Sequence, residues 1–257
     1  MSKTIGVFLS DIHFPDNIDI NPVLKYVKDL YSQCQKNGDK FLTILGGDII
    51  DAKGMHGVES MSASQIKLEW YDRDCKLMSS FLRQLLDIAP KTELVYIEGN
   101  HEERYRRITT KYPDAFGGRF DFNRDVVKKV FPKSKWVPYG TYESSYILGD
   151  CYFIHGTWPL PDHHAKKIAV NYASYKVVYG HMHTWQAYTL HNAVQNIPTR
   201  YAVTAGCLTD TAPEWKKGCP NMWINGFIDF TSDNGVTTPT VHLVEKGKFT
   251  IAGREYK

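Results

Sequence analysis

Short apolar runs bounded by Gly, Pro, Asn and Asp alternate with longer amphipathic stretches through the first hundred residues. Residues 4–10 (TIGVFLS) are apolar and rich in β-branched and aromatic side chains, which predicts a buried strand. Asn21 followed by Pro22 reads as an N-cap with proline at the first helical position, and Gly38 as the stop, predicting a helix over 22–36. Residues 41–45 form a second apolar run that ends in Gly46-Gly47. Residues 62–89 contain no Gly or Pro and stop at Pro90. Ile66, Trp70, Leu77, Phe81, Leu85 and Ile88 suggest a helical stripe, so one long helix or two abutting ones are expected. Residues 93–97 give a third strand, ending at Gly99. Strand, helix, strand, helix, strand is the pattern of a right-handed parallel α/β unit.

The second half reads differently. Residues 145–148 and 151–154 flank Gly149-Asp150, a hairpin signal. Short turn-bounded runs follow at 176–179, 185–190, 200–204, 223–230 and 240–244, with a helix expected over 162–173. No repeat, low-complexity tract or linker divides the chain. The expectation is one domain over 1–257, with insertions near 52–90 and 103–140.

Composition narrows the classes. Of 257 residues, 42% are hydrophobic and 23% charged, an ordinary globular balance. The longest apolar runs stop at five residues, whereas a membrane-spanning helix needs about 20. The N-terminus reaches Asp11 too soon for a secretory leader core. The five cysteines are odd in number and form no C-x-x-C pair, so they read as reduced thiols of a cytoplasmic protein. Net charge is only +3, but residues 104–135 carry ten Lys/Arg against three acids.

The polar residues of most interest sit just after the strand-like runs. They are Asp11-Ile12-His13, Gly47-Asp48-Ile49-Ile50-Asp51, Gly99-Asn100-His101-Glu102, His155-Gly156 and Gly180-His181-Met182-His183. The carboxyl ends of parallel strands share one edge of a sheet, so five distant segments are expected to converge there. Imidazole, carboxylate and amide donors together suit two divalent first-row ions better than Ca²⁺, which takes oxygen only. The glycines before Asp48, Asn100 and His181 are expected to permit the turns this convergence needs.

In this order, D-x-H, G-D-x-x-D, G-N-H-E, H-G and G-H-x-H resemble the calcineurin-like metallophosphoesterase superfamily, over residues 11–183. The resemblance implies an α/β fold of two mixed β-sheets packed as a sandwich and flanked by α-helices. It implies Asp11, His13 and His183 at a first metal, Asn100, His155 and His181 at a second, and Asp48 bridging both. His101 becomes a general acid or transition-state stabiliser, and Asp51 the acid that orients it. Two cations held roughly 3.5–4 Å apart clamp the phosphate and retain a bridging hydroxide for in-line attack on phosphorus. Mn²⁺ is the favoured pair, with Zn²⁺, Fe or Ni²⁺ as alternatives. Glu102 belongs to the motif and is expected to cap the helix that begins near residue 101.

The substrate is less constrained. Ala52-Lys53 follows Asp51 where the phosphoprotein phosphatases carry Arg-Gly, which argues against a protein phosphatase. Arg104 opens the basic stretch directly off a metal loop, and Tyr105, Tyr112, Phe116, Phe120, Phe122 and Trp136 lie within or beside it. Stacking on bases and arginine forks on phosphate point to a phosphodiester in nucleotides or in DNA or RNA. The alternatives are a small phosphomonoester and, in a different class, a non-catalytic scaffold. His56 follows the second metal loop within reach of a phosphate, while His163, His164, His191 and His242 read as structural.

Overall fold

The computed structural model describes residues 3–141, 144–157, 162–172, 175–192 and 197–257. Two mixed sheets form the centre. The first has the order β11-β10-β1-β2-β3-β4. Its strands are β1 (Thr4–Leu9), β2 (Lys40–Leu45), β3 (Glu93–Ile97), β4 (Lys135–Val137), β10 (Gly226–Asp233) and β11 (Val236–Leu243). Strands β1 to β4 run parallel, and β10 and β11 add antiparallel at one side. The second sheet, β5-β6-β7-β9-β8, is built from β5 (Tyr146–Leu148), β6 (Cys151–Ile154), β7 (Lys176–Tyr179), β8 (Trp185–Asn192) and β9 (Ile197–Ala205). In it β6, β7 and β9 run parallel, with β5 and β8 antiparallel at the edges. A small hairpin, β12 (Phe249–Ile251) with β13 (Arg254–Tyr256), completes the strands.

Strand alternation sorts the apolar side chains into layers. Phe8, Leu42, Ile44, Val95, Ile97, Phe153, Val178, Val203, Ile228 and Phe230 meet between the sheets. Phe153 lies 5.0 Å from Phe230 and 5.9 Å from Phe8, ring centre to ring centre. The opposite face of the first sheet, including Val7, Leu9, Phe41 and Tyr96, packs on the helices α1 (Asn21–Lys36), α2 (Leu68–Ile88) and α3 (Asn100–Lys111). Two short helices follow, α4 (Pro113–Phe116) and α5 (Lys128–Val130), before α6 (His164–Asn171). Ala165, Ile168 and Ala169 of α6 cover the outer face of the second sheet. The result is the expected sandwich of two mixed sheets flanked by helices.

The differences from the sequence pattern are local. Asn21 is the first residue of α1 and not its cap; the Asp19 carboxylate accepts from its N–H at 3.0 Å. Residues 62–65 close into a capping box around a single tight turn, and α2 begins only at Leu68. Strand β10 starts at Gly226, three residues later than expected, because Trp223 belongs to a loop. Neither β4 nor the β12–β13 hairpin stands out in the apolar pattern, because each of these three strands is only three residues long. Residue 173, at the end of the expected 162–173 helix, lies outside the described residues. Among the described residues, no helix is long and apolar enough to cross a membrane. The five cysteines are free thiols.

His164 behaves as the structural histidine expected of it. Its ring is buried, with Nδ1 2.6 Å from the Tyr179 hydroxyl and Nε2 2.7 Å from Thr184 Oγ1. Burial disfavours its imidazolium and lowers the pKa from 6.5 to about 4. The unfolded chain therefore binds the extra proton first, and stability is lost as pH falls from about 6.5 towards 4. Urea titrations of wild type and His164→Gln across this range should show the wild type losing more stability on acidification. Parallel pH dependences would refute the assignment.

Candidate metal centre

Each expected donor occupies the loop that follows a parallel strand. Asp11 and His13 follow β1, Asp48 follows β2, Asn100 opens α3 just after β3, His155 follows β6, and His181 and His183 follow β7. The loops after β1 and β2 continue side by side beyond the strands. Asp11 N–H donates to Gly47 O at 3.0 Å, His13 N–H to Asp48 O at 3.0 Å and Phe14 N–H to Ile49 O at 2.9 Å. His181 N–H donates to the Asp11 carboxylate at 3.0 Å, which ties the second sheet to the first.

The turns are not made as expected. Of the three glycines preceding donors, only Gly47 is left-handed, with φ +88°. The donors themselves take that conformation: φ is +54° at Asp11 and His13, +52° at Asp48, +73° at His181 and +58° at His183. Such backbones cost on the order of 1–3 kcal/mol each and persist only where their surroundings hold them. Gly99 and Gly180 supply room instead. A Cβ on Gly99 would lie 2.1 Å from Asp48 Oδ1, and one on Gly180 would lie 2.6 Å from Asp11 Oδ2.

Two donor groups result. In the first, His183 Nε2 lies 3.2 Å from both Asp11 Oδ1 and His13 Nε2. In the second, His155 Nε2 lies 3.3 Å from Asp48 Oδ2, 3.1 Å from Asn100 Oδ1 and 3.3 Å from His181 Nδ1. Asp48 Oδ2 is also 3.8 Å from His13 Nε2, so it stands between the groups. Asp11, Asp48 and His155 are almost wholly buried.

This donor set fits cations. The Nδ1 of His155 faces Gly46 O at 2.7 Å, which favours a proton there and turns the Nε2 lone pair towards Asn100, Asp48 and His181. With Nδ1 protonated, Nε2 and its oxygen and nitrogen neighbours face one another at distances that a shared proton or a cation satisfies. Burial opposes charge on His155, but the Asp48 and Asp11 carboxylates outweigh it and raise the pKa to about 10. Burial likewise raises Asp48, yet His155 and His101 hold it well below the usual carboxylate range. His183 Nδ1 is buried without a hydrogen-bond partner, while its Nε2 faces the first group.

His101 stands beside both groups. Its N–H donates to Asp48 Oδ1 at 2.9 Å, and its Nε2 is 3.8 Å from Asp48 Oδ2. Its Nδ1 is 2.6 Å from Asp51 O and 3.3 Å from Asp51 Oδ1. The Asp51 carboxylate also faces His13 Nδ1 at 3.2 Å and His56 Nε2 at 3.4 Å. Burial works against the Asp51 anion, but hydrogen bonds from His101, His13 and His56 keep it far below its ordinary range. Burial also works against charge on His101, where Asp48 and Asp51 prevail and its pKa rises. Arg104 extends along the His101 ring and donates to Asp51 O at 3.1 Å.

A cavity of about 690 Å³ opens over this centre. His13, Asp48, Asn100, His181, His183, His101 and Asp51 line it, and so do Arg104 and His56. Asp16, Lys53, Thr209, Asp210, Pro213 and Trp223 form its other wall. Thr209, Asp210, Pro213 and Trp223 sit in the loop that follows β9, itself a parallel strand of the second sheet, though one that carries none of the metal motifs.

The basic stretch does not meet the base-stacking expectation. Tyr105, Phe116, Phe120 and Phe122 are buried in the core around Tyr71. Trp136 stacks on Tyr96 at 4.7 Å, and the Tyr112 hydroxyl donates to Met61 O at 2.6 Å. Arg106 pairs with Glu103 and Glu98, Arg107 with Glu103 and Glu59, and Arg124 with Asp125. Of the ten cations, Arg104 alone lines the cavity.

Glu102 does more than cap α3. Its buried carboxylate accepts from the N–H groups of Gly99, Asp48 and Ile49 at 3.0, 3.0 and 2.8 Å, and from the Tyr96 hydroxyl at 2.8 Å. The loops bearing Asp48 and Asn100 are thus fastened to one anion. Glu102→Gln turns an amide NH₂ towards these donors and should cost about 2–4 kcal/mol of stability. It should also lower metal stoichiometry, as read by denaturant titration and elemental analysis. Wild-type stability and metal content would disprove the fastening role.

None of the curated proteins matches the chain in sequence. Among solved structures it is similar to a double mutant of Vps29 from Entamoeba histolytica, with 11% identity, 95% of this chain and 94% of that chain covered, and a TM-score of 0.43. It is also similar to Vps29 from Chaetomium thermophilum, with 14% identity, 98% and 91% covered, and a TM-score of 0.41. The sequence profile described as calcineurin-like phosphoesterase matches residues 7–204, and the chain belongs to that family.

Proposed function

We propose that the chain is a phosphoesterase that uses two divalent cations to hydrolyse a phosphodiester of nucleotide size. The observation that carries this reading is the pair of donor groups joined through Asp48, with the His101 imidazole beside them. Asp11, His13 and His183 hold one cation; Asn100, His155 and His181 hold the other; Asp48 serves both. The donors are imidazole, carboxylate and amide groups without thiolate, a set open to Mn²⁺ and also to Zn²⁺, Fe or Ni²⁺. When bound, such ions polarise phosphoryl oxygens and lower the pKa of water.

The chain's own groups do the rest. Arg104 offers its guanidinium fork to the non-bridging phosphoryl oxygens. His101, beside both donor groups, gives its proton to the departing oxygen. Asp51 fixes the direction of that imidazole. His56, half-exposed at the rim, meets the outer part of the substrate. The inward-facing aromatics and paired arginines of the basic stretch favour a nucleotide over a long polymer. We read 1–257 as a single domain; 52–90 and 103–140 carry α2 and β4, which belong to the first sheet and its helical layer, and 103–140 brings Arg104 to the cavity.

Two variants test the roles separately. His101→Ala should lower kcat about 10²–10⁴-fold on bis-p-nitrophenyl phosphate with Mn²⁺, while metal content stays at wild-type level. Unchanged turnover would remove His101 from the chemistry. Asp48→Asn should reduce the bound Mn²⁺ measured after equilibrium dialysis and abolish turnover. Two retained ions with full rate would overturn the bridging role. Preference for p-nitrophenyl phosphate over the diester in the wild type would point to a monoesterase instead.

A further inference from the structure

Asp16, Asp48, Asp51 and Asp210 are the carboxylates that line the cavity among the described residues. Asp48 and Asp51 face the histidines of the centre, and Asp16 accepts from Lys53 Nζ at 2.7 Å. Asp210 differs from these. Among the described residues it forms no ion pair, and its side chain is engaged through Oδ1 alone, which accepts from Ala212 N–H at 2.9 Å. The second carboxylate oxygen is left for solvent or a ligand.

The place of this charge is fixed. Leu208 N–H donates to Asp11 O at 2.9 Å. Thr209 Oγ1 and Asp210 N–H both donate to Asp16 O, at 3.0 and 2.9 Å. The bond from Ala212 N–H to Oδ1 closes a turn that sets the Asp210 side chain itself. The loop after β9 therefore holds an anion on one wall of the cavity, while Arg104, His101 and His56 line the other.

A phosphodiester brings two substituents into this space. The departing one lies by His101, which leaves the wall of Asp210 to the one that is retained. A hydroxyl there can donate to Asp210 Oδ2, whereas a second phosphate meets a like charge. At about 4 Å, repulsion between unit charges amounts to roughly fivefold in affinity in full hydration, and to more where protein displaces water.

We propose that Asp210 is a specificity-determining residue, which admits a phosphodiester with an uncharged retained substituent and turns away one that carries a second phosphate. This rests on the phosphoesterase reading above and adds the charge of the part of the substrate that the metal centre does not recognise. Discrimination of this kind is built from repulsion as well as attraction.

The test compares kcat/KM of the full Mn²⁺-loaded chain on thymidine 5′-(p-nitrophenyl phosphate) and on the same ester with a 3′-phosphate in place of the 3′-hydroxyl. Wild type should prefer the first by about fivefold or more at low salt, and added NaCl should shrink the preference by screening the charges. Asp210→Asn keeps the Oδ1 acceptor for Ala212 N–H and removes the charge. It should bring the two esters within twofold and flatten the salt dependence of their ratio. Asp210→Glu keeps the charge and should keep the preference. Equal use of the two esters by wild type, a preference indifferent to salt, or a preference that Asp210→Asn leaves unchanged would each overturn this inference alone. A loaded wild type that hydrolyses neither ester would overturn the phosphoesterase reading as well.

Discussion

Glu102 lies beneath the loop that presents Asp48, and much of the site depends on that buried anion. A carboxylate removed from water is costly unless its lone pairs are matched. Here backbone N–H groups from two loops and the Tyr96 hydroxyl match them. The same bonds set the height and direction of Asp48. One Asp48 oxygen then receives the N–H of His101, and the other faces His155, His13 and His101. A helix cap, a strand-end loop and the junction of the two donor groups are therefore a single hydrogen-bonded unit.

Around this unit the chain keeps conformations that isolated segments would abandon. Asp11, His13, Asp48, His181 and His183 are all left-handed, without glycine's freedom. They are held by the ladder between the β1 and β2 loops and by the bond from His181 N–H to Asp11. Strain gathered at the donors, with glycines reserved for space at Gly99 and Gly180, is what a preorganised cation site requires. The buried acids and imidazoles carry charges that offset one another across a few ångströms, which keeps so many polar groups in the interior.

The basic stretch shows how charge counted along a chain differs from charge placed in space. Ten cations follow the third metal loop, but Glu98, Glu103, Glu59 and the adjacent Asp125 take up Arg106, Arg107 and Arg124. The aromatics between them fill the core beside α2 and α3. What reaches the cavity from this region is one guanidinium, held by Asp51 O and the His101 ring.

The apolar pattern by itself announced β1, β2 and β3, the family resemblance implied the sandwich, and the motifs named the polar residues that meet at the strand ends. Apolar runs ending in Asp, Asn and His are local signals, and a parallel sheet necessarily places such endings on one edge. Element starts were less legible: Leu68, not Ser62, begins α2, and Gly226, not Trp223, begins β10, because capping and loop geometry override apolar pattern there. Only the tertiary structure decided that Glu102 fastens two loops, that the aromatics of 103–140 turn inward, and that Trp223 returns to His183. Those outcomes depend on contacts across about 30 to 55 residues of chain, and the direction a side chain takes there is set by the surface it packs against, not by its own neighbours in sequence.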